Sequence, residues 1–285
     1  MAQSKKNKKS NPVKRFFRKV ILAVASFAAF VSFTFIIYET VWIPGHFNEL
    51  TSIFKIDEKL AFNHAEVQQK YAQLKKDYPD FAGNFMVNGL GMNFPVTQCD
   101  DNTYYLKHTI DGKLDKHGAL FVDTKNNLNE LDDNTIIYGH NMKDSTQFGM
   151  LNMYKTVDGY KLGPVVTFNT LYKDYKWKVF ACFLINTEPE DDNGYFFNYT
   201  KRDFEGNKEF RAFYNEAMER SYIKTGVDVR YGDKILTMST CSTLFDDSRL
   251  VVMARLVREG ESAEVNTAVA CQNTNQRFPA VYKDH

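Results

Sequence analysis

Cysteine is scarce in this sequence, with 4 residues in a chain of 285. Such sparse usage argues against a scaffold held together by disulfides. The sequence also lacks a Cys-x-x-Cys pair, a histidine-rich cluster and a glycine-rich phosphate-binding loop, which are the local signatures of metal and nucleotide sites. We therefore expect no cofactor and no metal site.

Acidic residues are absent from positions 1–19, which carry eight lysines and arginines. Residues 20–38 are uncharged and rich in Val, Ile, Leu, Ala and Phe, and their number is close to the ~20 residues that cross a bilayer as a helix. Because positive charge stays on the cytoplasmic side, we expect a cytoplasmic tail at 1–19 and a single-pass transmembrane anchor at 20–38. Everything after the anchor is then extracellular.

Two alternatives explain the N-terminus less well. A cleaved signal peptide is suggested by the small residues Ala23-Val-Ala25, but a cut there leaves only three apolar residues ahead of it. A basic tail that binds nucleic acid does not account for the apolar run. We therefore expect an uncleaved anchor at the cell membrane and no nucleic-acid partner.

Residues 47–80 have the periodicity of a helix, with apolar side chains at three- and four-residue steps and Pro79 closing the segment. This pattern predicts an extracellular helical stalk or collar over residues 39–82. A coiled-coil dimerisation element is the alternative, although the pattern is short and irregular for one.

Residues 259–285 are polar with little periodicity, and we expect this C-terminal tail to lie outside the main domain without ordered structure.

Strand signals dominate residues 83–258, and many short strands separated by turn residues predict a closed barrel or a sandwich. Two helical insertions are predicted, at 145–154 and at 204–223, the second with an apolar stripe that covers the sheet. The predicted strands are 85–87, 93–96, 104–110, 119–123, 135–140, 164–169, 175–187, 234–241 and 249–257.

Residues 233–257 combine two strand-like runs with a polar loop at 242–248. If the two strands pair antiparallel, Cys241 and Arg249 flank the loop and oppose each other with Cβ atoms roughly 5 Å apart. A cation beside a thiol favours the nucleophilic thiolate or binds the oxyanion formed after attack. On spacing alone, a buried cysteine that ends one strand and an arginine that caps the next remain an equal alternative.

A histidine upstream favours the chemical interpretation. Asn134-Thr-Ile-Ile-Tyr-Gly-His140 is a β-branched run that ends in a histidine, and a cysteine nucleophile with a distant histidine is a known arrangement for acyl transfer. The other histidines neither precede nor follow a motif. Arg255 and Arg258 lie too far along the second strand to touch the thiol. Cys182 lies in an apolar strand and is expected in the core.

Together, Tyr138-Gly-His140, Thr237-Met-Ser-Thr-Cys241 and Arg249-Leu-Val-Val resemble the active-site motifs of sortases, and more narrowly of class B sortases, which are cysteine transpeptidases of the Gram-positive cell surface. Met238 stands where the family signature has leucine, a small departure. The resemblance implies an eight-stranded β-barrel with a helix inserted before the cysteine-bearing strand, which selects the barrel over the sandwich.

The resemblance also implies the roles of the residues. Cys241 is the nucleophile, His140 the general acid and base, and Arg249 the group that stabilises the oxyanion or substrate. The implied substrates are secreted proteins with a C-terminal signal of the Asn-Pro-x-Thr-Asn or Ser/Pro-Pro-x-Thr-Gly type, cleaved after threonine and transferred to a peptidoglycan amine. The groove residues carried over from relatives are Asn102, Leu106, Thr187, Tyr195, Phe196 and Ser239.

Two other classes of function remain open from the sequence. One is a hydrolytic cysteine peptidase that acts on cell-wall peptides. The other is a non-catalytic, membrane-anchored surface binding protein in which the cysteine is only structural. Cys99 and Cys271 lie in polar surroundings, and their spacing does not decide whether they form a disulfide.

Overall fold

A computed structural model of the protein describes residues 66–282. The predicted cytoplasmic tail, the transmembrane anchor and residues 39–65 of the predicted stalk lie outside the described residues. Between residues 66 and 282 there is no helix with the length and hydropathy needed to cross a bilayer.

Residues 66–282 form ten β-strands, eight of them in one closed barrel. The strands are β1 Phe81–Val87, β2 Met92–Thr97, β3 Leu120–Val122, β4 Asn134–Tyr138, β5 Val165–Thr170, β6 Asp174–Ile185, β7 Ile223–Lys224, β8 Ile235–Cys241, β9 Arg249–Leu256 and β10 Cys271–Gln272. The barrel runs β1-β2-β3-β4-β8-β9-β6-β5, and β7 pairs with β10 outside it. The predicted eight-stranded barrel is confirmed.

The strands around the cysteine are buried on both faces, which explains their nearly continuous apolar sequence. Successive residues of a strand point to opposite faces, so Val252 of β9 lies in the cluster inside the barrel while Val251 and Met253 lie in a second cluster outside it. Helix α3 (Asn207–Arg220) supplies its own apolar stripe to the outer cluster. The prediction that this helix covers the barrel is confirmed.

The other helices are shorter than the periodicity predicts. Within the predicted stalk, helix α1 spans Gln69–Asp77 and ends just before Pro79. The predicted helix at 145–154 is wrong in extent, because a 3₁₀ helix at Gly149–Lys155 is followed by α2 at Val157–Leu162. Positive φ angles at Ser145 and Gln147 break the helix before it starts.

The predicted strand at 104–110 is wrong. Tyr104–Leu106 form a 3₁₀ helix, and the chain then turns. His108 bonds back to the carbonyl oxygen of Tyr104 over 2.8 Å, and the two rings stack with centroids 4.0 Å apart. These local contacts fold the segment back on itself, and it supplies no strand to the barrel.

The predicted disorder of the tail is wrong as far as residue 282. Cys271 and Gln272 form β10, and Asn273 donates to the Ser221 carbonyl oxygen over 2.8 Å. Phe278 packs on Tyr222 with ring centroids 5.6 Å apart. The tail lies outside the barrel, as predicted, but packs against the segment that follows α3.

Candidate active site

Strands β8 and β9 bring a thiol and a guanidinium side by side. They pair antiparallel, and their register matches Cys241 directly with Arg249. The loop between them is closed by a hydrogen bond from the Ser242 amide to the Ser248 carbonyl oxygen, 2.8 Å long. Directly paired residues project to the same face, so the opposition of Cys241 and Arg249 predicted from the sequence is confirmed.

Strand β4 adds the histidine through a parallel pairing with β8. Tyr138 is in register with Ser239, and the Gly139 amide donates to the Ser239 carbonyl oxygen over 3.2 Å. Two residues beyond this last pair, His140 and Cys241 line the same cavity. The next residue, Asn141, donates from its side-chain amide to the Cys241 carbonyl oxygen over 2.9 Å, which ties the two strand ends together.

Gly139 permits the close approach of β4 to its neighbours. A Cβ atom at this position would lie 2.2 Å from Leu120 Cδ2 and 2.9 Å from Phe148 Cδ2. Leu120 and Phe148 are both fully buried in the barrel core. Only glycine therefore fits between Tyr138 and His140 without displacing core side chains.

The imidazole of His140 is oriented by a backbone group. Its Nε2 lies 2.7 Å from the carbonyl oxygen of Leu106. Because a carbonyl oxygen only accepts hydrogen bonds, Nε2 carries a hydrogen and Nδ1 is left to exchange the second ring proton. The sequence could not indicate this partner, because a backbone atom of the mispredicted segment 104–110 supplies it.

The three side chains open on one cavity of about 280 Å³, here called the thiol cavity. Three of the predicted groove residues, Asn102, Leu106 and Ser239, also line it. The complete lining is Asn102, Leu106, Phe121, Tyr138, Gly139, His140, Ser239, Thr240, Cys241 and Arg249.

The other predicted groove residues do not line the thiol cavity. Thr187 donates to the Asp247 carbonyl oxygen over 2.8 Å and so touches the β8–β9 loop. Tyr195 is exposed, with Arg220 and Arg277 at 5.7 and 5.3 Å from its ring centroid. Phe196 is 43% exposed.

One wall of the thiol cavity is held by Asp123, which the sequence analysis missed. Its carboxylate accepts from Asn102 Nδ2 over 3.0 Å and from the Tyr138 hydroxyl over 3.1 Å. Burial, followed by the charge of Asp123, raises the pKa of Tyr138 well above its ordinary value, so this phenol stays neutral. No local motif marks Asp123, because its partners lie 15 and 21 residues away.

Arg249 has no carboxylate partner among residues 66–282; the described hydrogen bond of its side chain goes to the Ser248 carbonyl oxygen, 3.0 Å away. Arg255 and Arg258, the other arginines of this part of the chain, are bound to carboxylates.

The four cysteines differ in exposure and all are free thiols. Cys241 is exposed, whereas Cys182 is buried and its pKa is raised by that burial. Cys99 and Cys271 are free thiols, so they form no disulfide.

Other candidate sites fit this chemistry less well. A cavity of about 550 Å³ lies at the opposite end of the barrel, beside Asp174 and Leu256, and has no cysteine or histidine among its lining residues. Within the described part of the chain, no group of three or more His, Cys, Asp or Glu side chains is arranged to hold a metal ion.

Known proteins match both the sequence and the fold of this chain. A family model described as Sortase domain matches residues 85–257. Sortase B of Staphylococcus aureus is 30% identical over 204 residues, covering 70% of this chain and 80% of the relative. Sortase B of Listeria monocytogenes is 27% identical over 223 residues, covering 78% and 87%.

A solved structure, the Staphylococcus aureus sortase B–substrate complex, superposes with a TM-score of 0.61 at 29% identity and covers 74% of this chain and 94% of that one. The family match spans more than half of the chain and includes Cys241, His140 and Arg249. The chain therefore belongs to the sortase family, and within it this protein is a class B sortase, a cysteine transpeptidase.

Proposed function

We propose that this sortase cleaves a C-terminal sorting signal of secreted proteins after a threonine and transfers the protein to an amine of the cell wall. The observation that carries the proposal is the meeting of Cys241, Arg249 and His140 at one mouth of the barrel. The relative solved as a sortase B–substrate complex supports a sorting-signal substrate.

In the first half-reaction, the Cys241 thiolate attacks the threonine carbonyl carbon. The C–N bond to the following residue breaks, and the leaving amine takes a proton from the imidazolium of His140. The acyl group remains on sulfur as a thioester. The Leu106 carbonyl oxygen holds the ring during this transfer through Nε2, so Nδ1 is the nitrogen that we assign to the proton exchange.

Arg249 stabilises the negative charge that develops on the threonine oxygen. Its guanidinium is charged at every relevant pH, and no described carboxylate neutralises it. A fixed cation beside the reacting carbonyl stabilises the developing negative charge most strongly in a cavity that excludes water. The direct pairing of Arg249 with Cys241 keeps that charge next to the sulfur.

In the second half-reaction, an amine of a peptidoglycan cross-bridge or precursor attacks the thioester. The C–S bond breaks, a new amide forms, and the amine proton passes to His140, which restores the starting charges. The signal is of the Asn-Pro-x-Thr-Asn or Ser/Pro-Pro-x-Thr-Gly type. Asn102, Leu106 and Ser239 contact it in the thiol cavity, while Thr187, Tyr195 and Phe196 contact it outside that cavity.

The cellular location in this proposal rests on the sequence alone. The basic segment 1–19 and the uncharged segment 20–38 support a single-pass membrane protein with a cytoplasmic N-terminus. A helical stalk then separates the membrane from the catalytic domain, whose barrel begins with β1 at Phe81, and the tail at 259–285 follows.

The test is to incubate the purified full-length chain with fluorogenic peptides of both signal types, with and without an amine acceptor. We expect an amide product that contains the acceptor, and none from Cys241→Ala. Cleavage without amide product would instead indicate a hydrolytic cysteine peptidase. Inertness of both the wild type and Cys241→Ala would indicate a non-catalytic surface binding protein.

A further inference from the structure

A second cavity lies next to the thiol cavity and shares two residues with it. This cavity, here called the lysine cavity, has a volume of about 500 Å³ and is lined by Leu106, Lys107, Leu114, Asp115, Lys116 and His140. Leu106 and His140 line both cavities. One imidazole therefore faces two cavities. Cys241 and Arg249 line the thiol cavity but not the lysine cavity.

The two-step reaction requires access from such a second side. When the acceptor amine arrives, the thiol cavity still holds the acyl group bound to Cys241. The amine must nevertheless reach His140, because this group takes its proton. The lysine cavity offers an approach to His140 that the acyl group does not occupy.

The charges of the lysine cavity indicate which acceptor fits. Lys107 and Lys116 are exposed, and neither forms an ion pair within the described part of the chain. Asp115, the one acid in the lining, is already bound through its carboxylate to the backbone amide and ring of His117 at 2.8 and 2.6 Å. The two lysines thus remain available for a negatively charged group on the incoming molecule.

The cavity also has an apolar component. Leu114 is 80% exposed although the backbone that carries it is ordered, with a β-bridge between His108 and Leu114 and a hydrogen bond of 2.9 Å from the Asp115 amide to the Lys107 carbonyl oxygen. This pairing makes residues 107–116 a short hairpin. The hairpin presents Lys107, Leu114 and Lys116 beside the imidazole on a fixed backbone.

We propose that the lysine cavity is the acceptor subsite and selects an amine whose molecule also carries a carboxylate. Lys107 and Lys116 bind the carboxylate, and the amine reaches His140 and the thioester carbon. Nitrogen then forms the amide bond as the C–S bond breaks, with the amine proton transferred to His140. This inference rests on the proposed function, because it specifies the acceptor in the second half-reaction.

The test compares two acceptors that differ only in charge, triglycine and triglycinamide, with hydroxylamine as a small acceptor that has no carboxylate. The variant is Lys107→Gln/Lys116→Gln in the full-length chain. We expect the ratio of kcat/KM for triglycine to kcat/KM for triglycinamide to be about fivefold lower in the variant than in the wild type. The effect is this modest because the variant loses two exposed charge pairs, each of which contributes little. The release of the peptide's C-terminal fragment with hydroxylamine should stay within about twofold of the wild type, since the thiol cavity is intact.

Lys113→Gln is the matched control. Lys113 lies on the same hairpin but pairs with Asp111 and does not line the cavity, so its variant should keep the wild-type preference for triglycine. Raising the salt concentration should weaken that preference in the wild type, because exposed charges are screened.

The outcomes separate this inference from the proposed function. If triglycine and triglycinamide fall equally in the double variant, or if neither changes, the acceptor subsite is refuted while the transpeptidase remains. If the wild type releases no fragment even with hydroxylamine, the proposed function fails and the subsite fails with it.

Discussion

Strand β9 carries an arginine near each end of the barrel, and the two are used differently. Arg255, at the far end, is buried and binds Glu261 through both Nη atoms, with one N···O distance of 2.8 Å. Its Nε donates to the Asp228 carbonyl oxygen over 3.0 Å. Arg249, at the thiol end, is half-buried and has a backbone oxygen as its described partner.

The two arginines show how a charge is kept available for binding. A guanidinium whose donors are occupied by a carboxylate and carbonyl groups, as in Arg255, stabilises the fold. A guanidinium with vacant donors beside a thiol retains the capacity to bind an oxyanion. The far end of the barrel should therefore govern stability, and the thiol end should govern turnover.

The largest expected difference is between alanine substitutions of Cys241, at the thiol end, and Cys182, in the core. We expect Cys241→Ala to lower turnover of the sorting peptide by at least about 10⁴-fold and to leave the free energy of unfolding unchanged, because Cys241 is exposed. Cys182→Ala, in the buried strand β6, should instead lower that free energy by about 1–2 kcal/mol through a small cavity. Denaturant titration and peptide cleavage measure the two quantities, and equal loss of activity in both variants would mean that the nucleophile is misassigned.

The two arginines give the most direct comparison. Arg249→Ala should reduce kcat by about 10²–10³-fold, as loss of an oxyanion donor does, with little change in the free energy of unfolding. Arg255→Ala should lower the free energy of unfolding by about 1.5–3 kcal/mol, because hydrogen bonds to a charged partner are lost, while the protein that remains folded keeps its kcat. A kcat that falls equally in both variants would remove the distinction between the two ends.

The pH dependence of stability should follow Glu261. Hydrogen bonds from Arg255, and next from Lys178, hold the pKa of Glu261 far below its ordinary value of 4.5. As the pH falls below about 4.5, the unfolded state takes up a proton that the folded state does not, so stability decreases. Glu261→Gln should be less stable by about 1 kcal/mol at pH 7, and the two melting temperatures should converge below pH 4. A constant difference across this pH range would contradict the assignment.

The smallest effect should come from Ser239, whose hydroxyl lies 3.0 Å from the Tyr199 hydroxyl. Ser239→Ala should raise KM for the sorting peptide about threefold, the value of one neutral hydrogen bond, with kcat unchanged. Tyr199→Phe is the control, because it removes the same internal hydrogen bond from a residue outside the cavity lining. If Tyr199→Phe raises KM equally, Ser239 only supports the wall and does not bind the substrate.

The sequence predicted the thiol–guanidinium pair well because a single hairpin creates it. Cys241 and Arg249 are eight residues apart, so strand pairing across one loop determines their opposition. The end of a β-branched run singles out His140, but its position beside Cys241 required the family resemblance, because β4 and β8 pair across about a hundred residues and no local rule gives that register. The barrel was likewise selected over a sandwich by resemblance.

What could not be predicted depends on atoms without a sequence signature. The Leu106 carbonyl oxygen orients His140, but any residue type supplies such an oxygen. Segment 104–110 has the composition of a strand, yet the stacking of Tyr104 on His108 fixes a 3₁₀ turn. The polar tail reads as disordered, whereas Phe278 and Asn273 attach it to the segment after α3.

The glycine between Tyr138 and His140 has a consequence for laboratory evolution of this enzyme. Because a methyl group at position 139 would collide with Leu120 and Phe148, even alanine there should shift the imidazole. Reactivity is therefore sensitive to repacking of core side chains that do not themselves line the thiol cavity, and libraries that randomise the interior should lose activity before they lose solubility. New specificities are more accessible through the exposed residues of the loops 107–116 and 242–248.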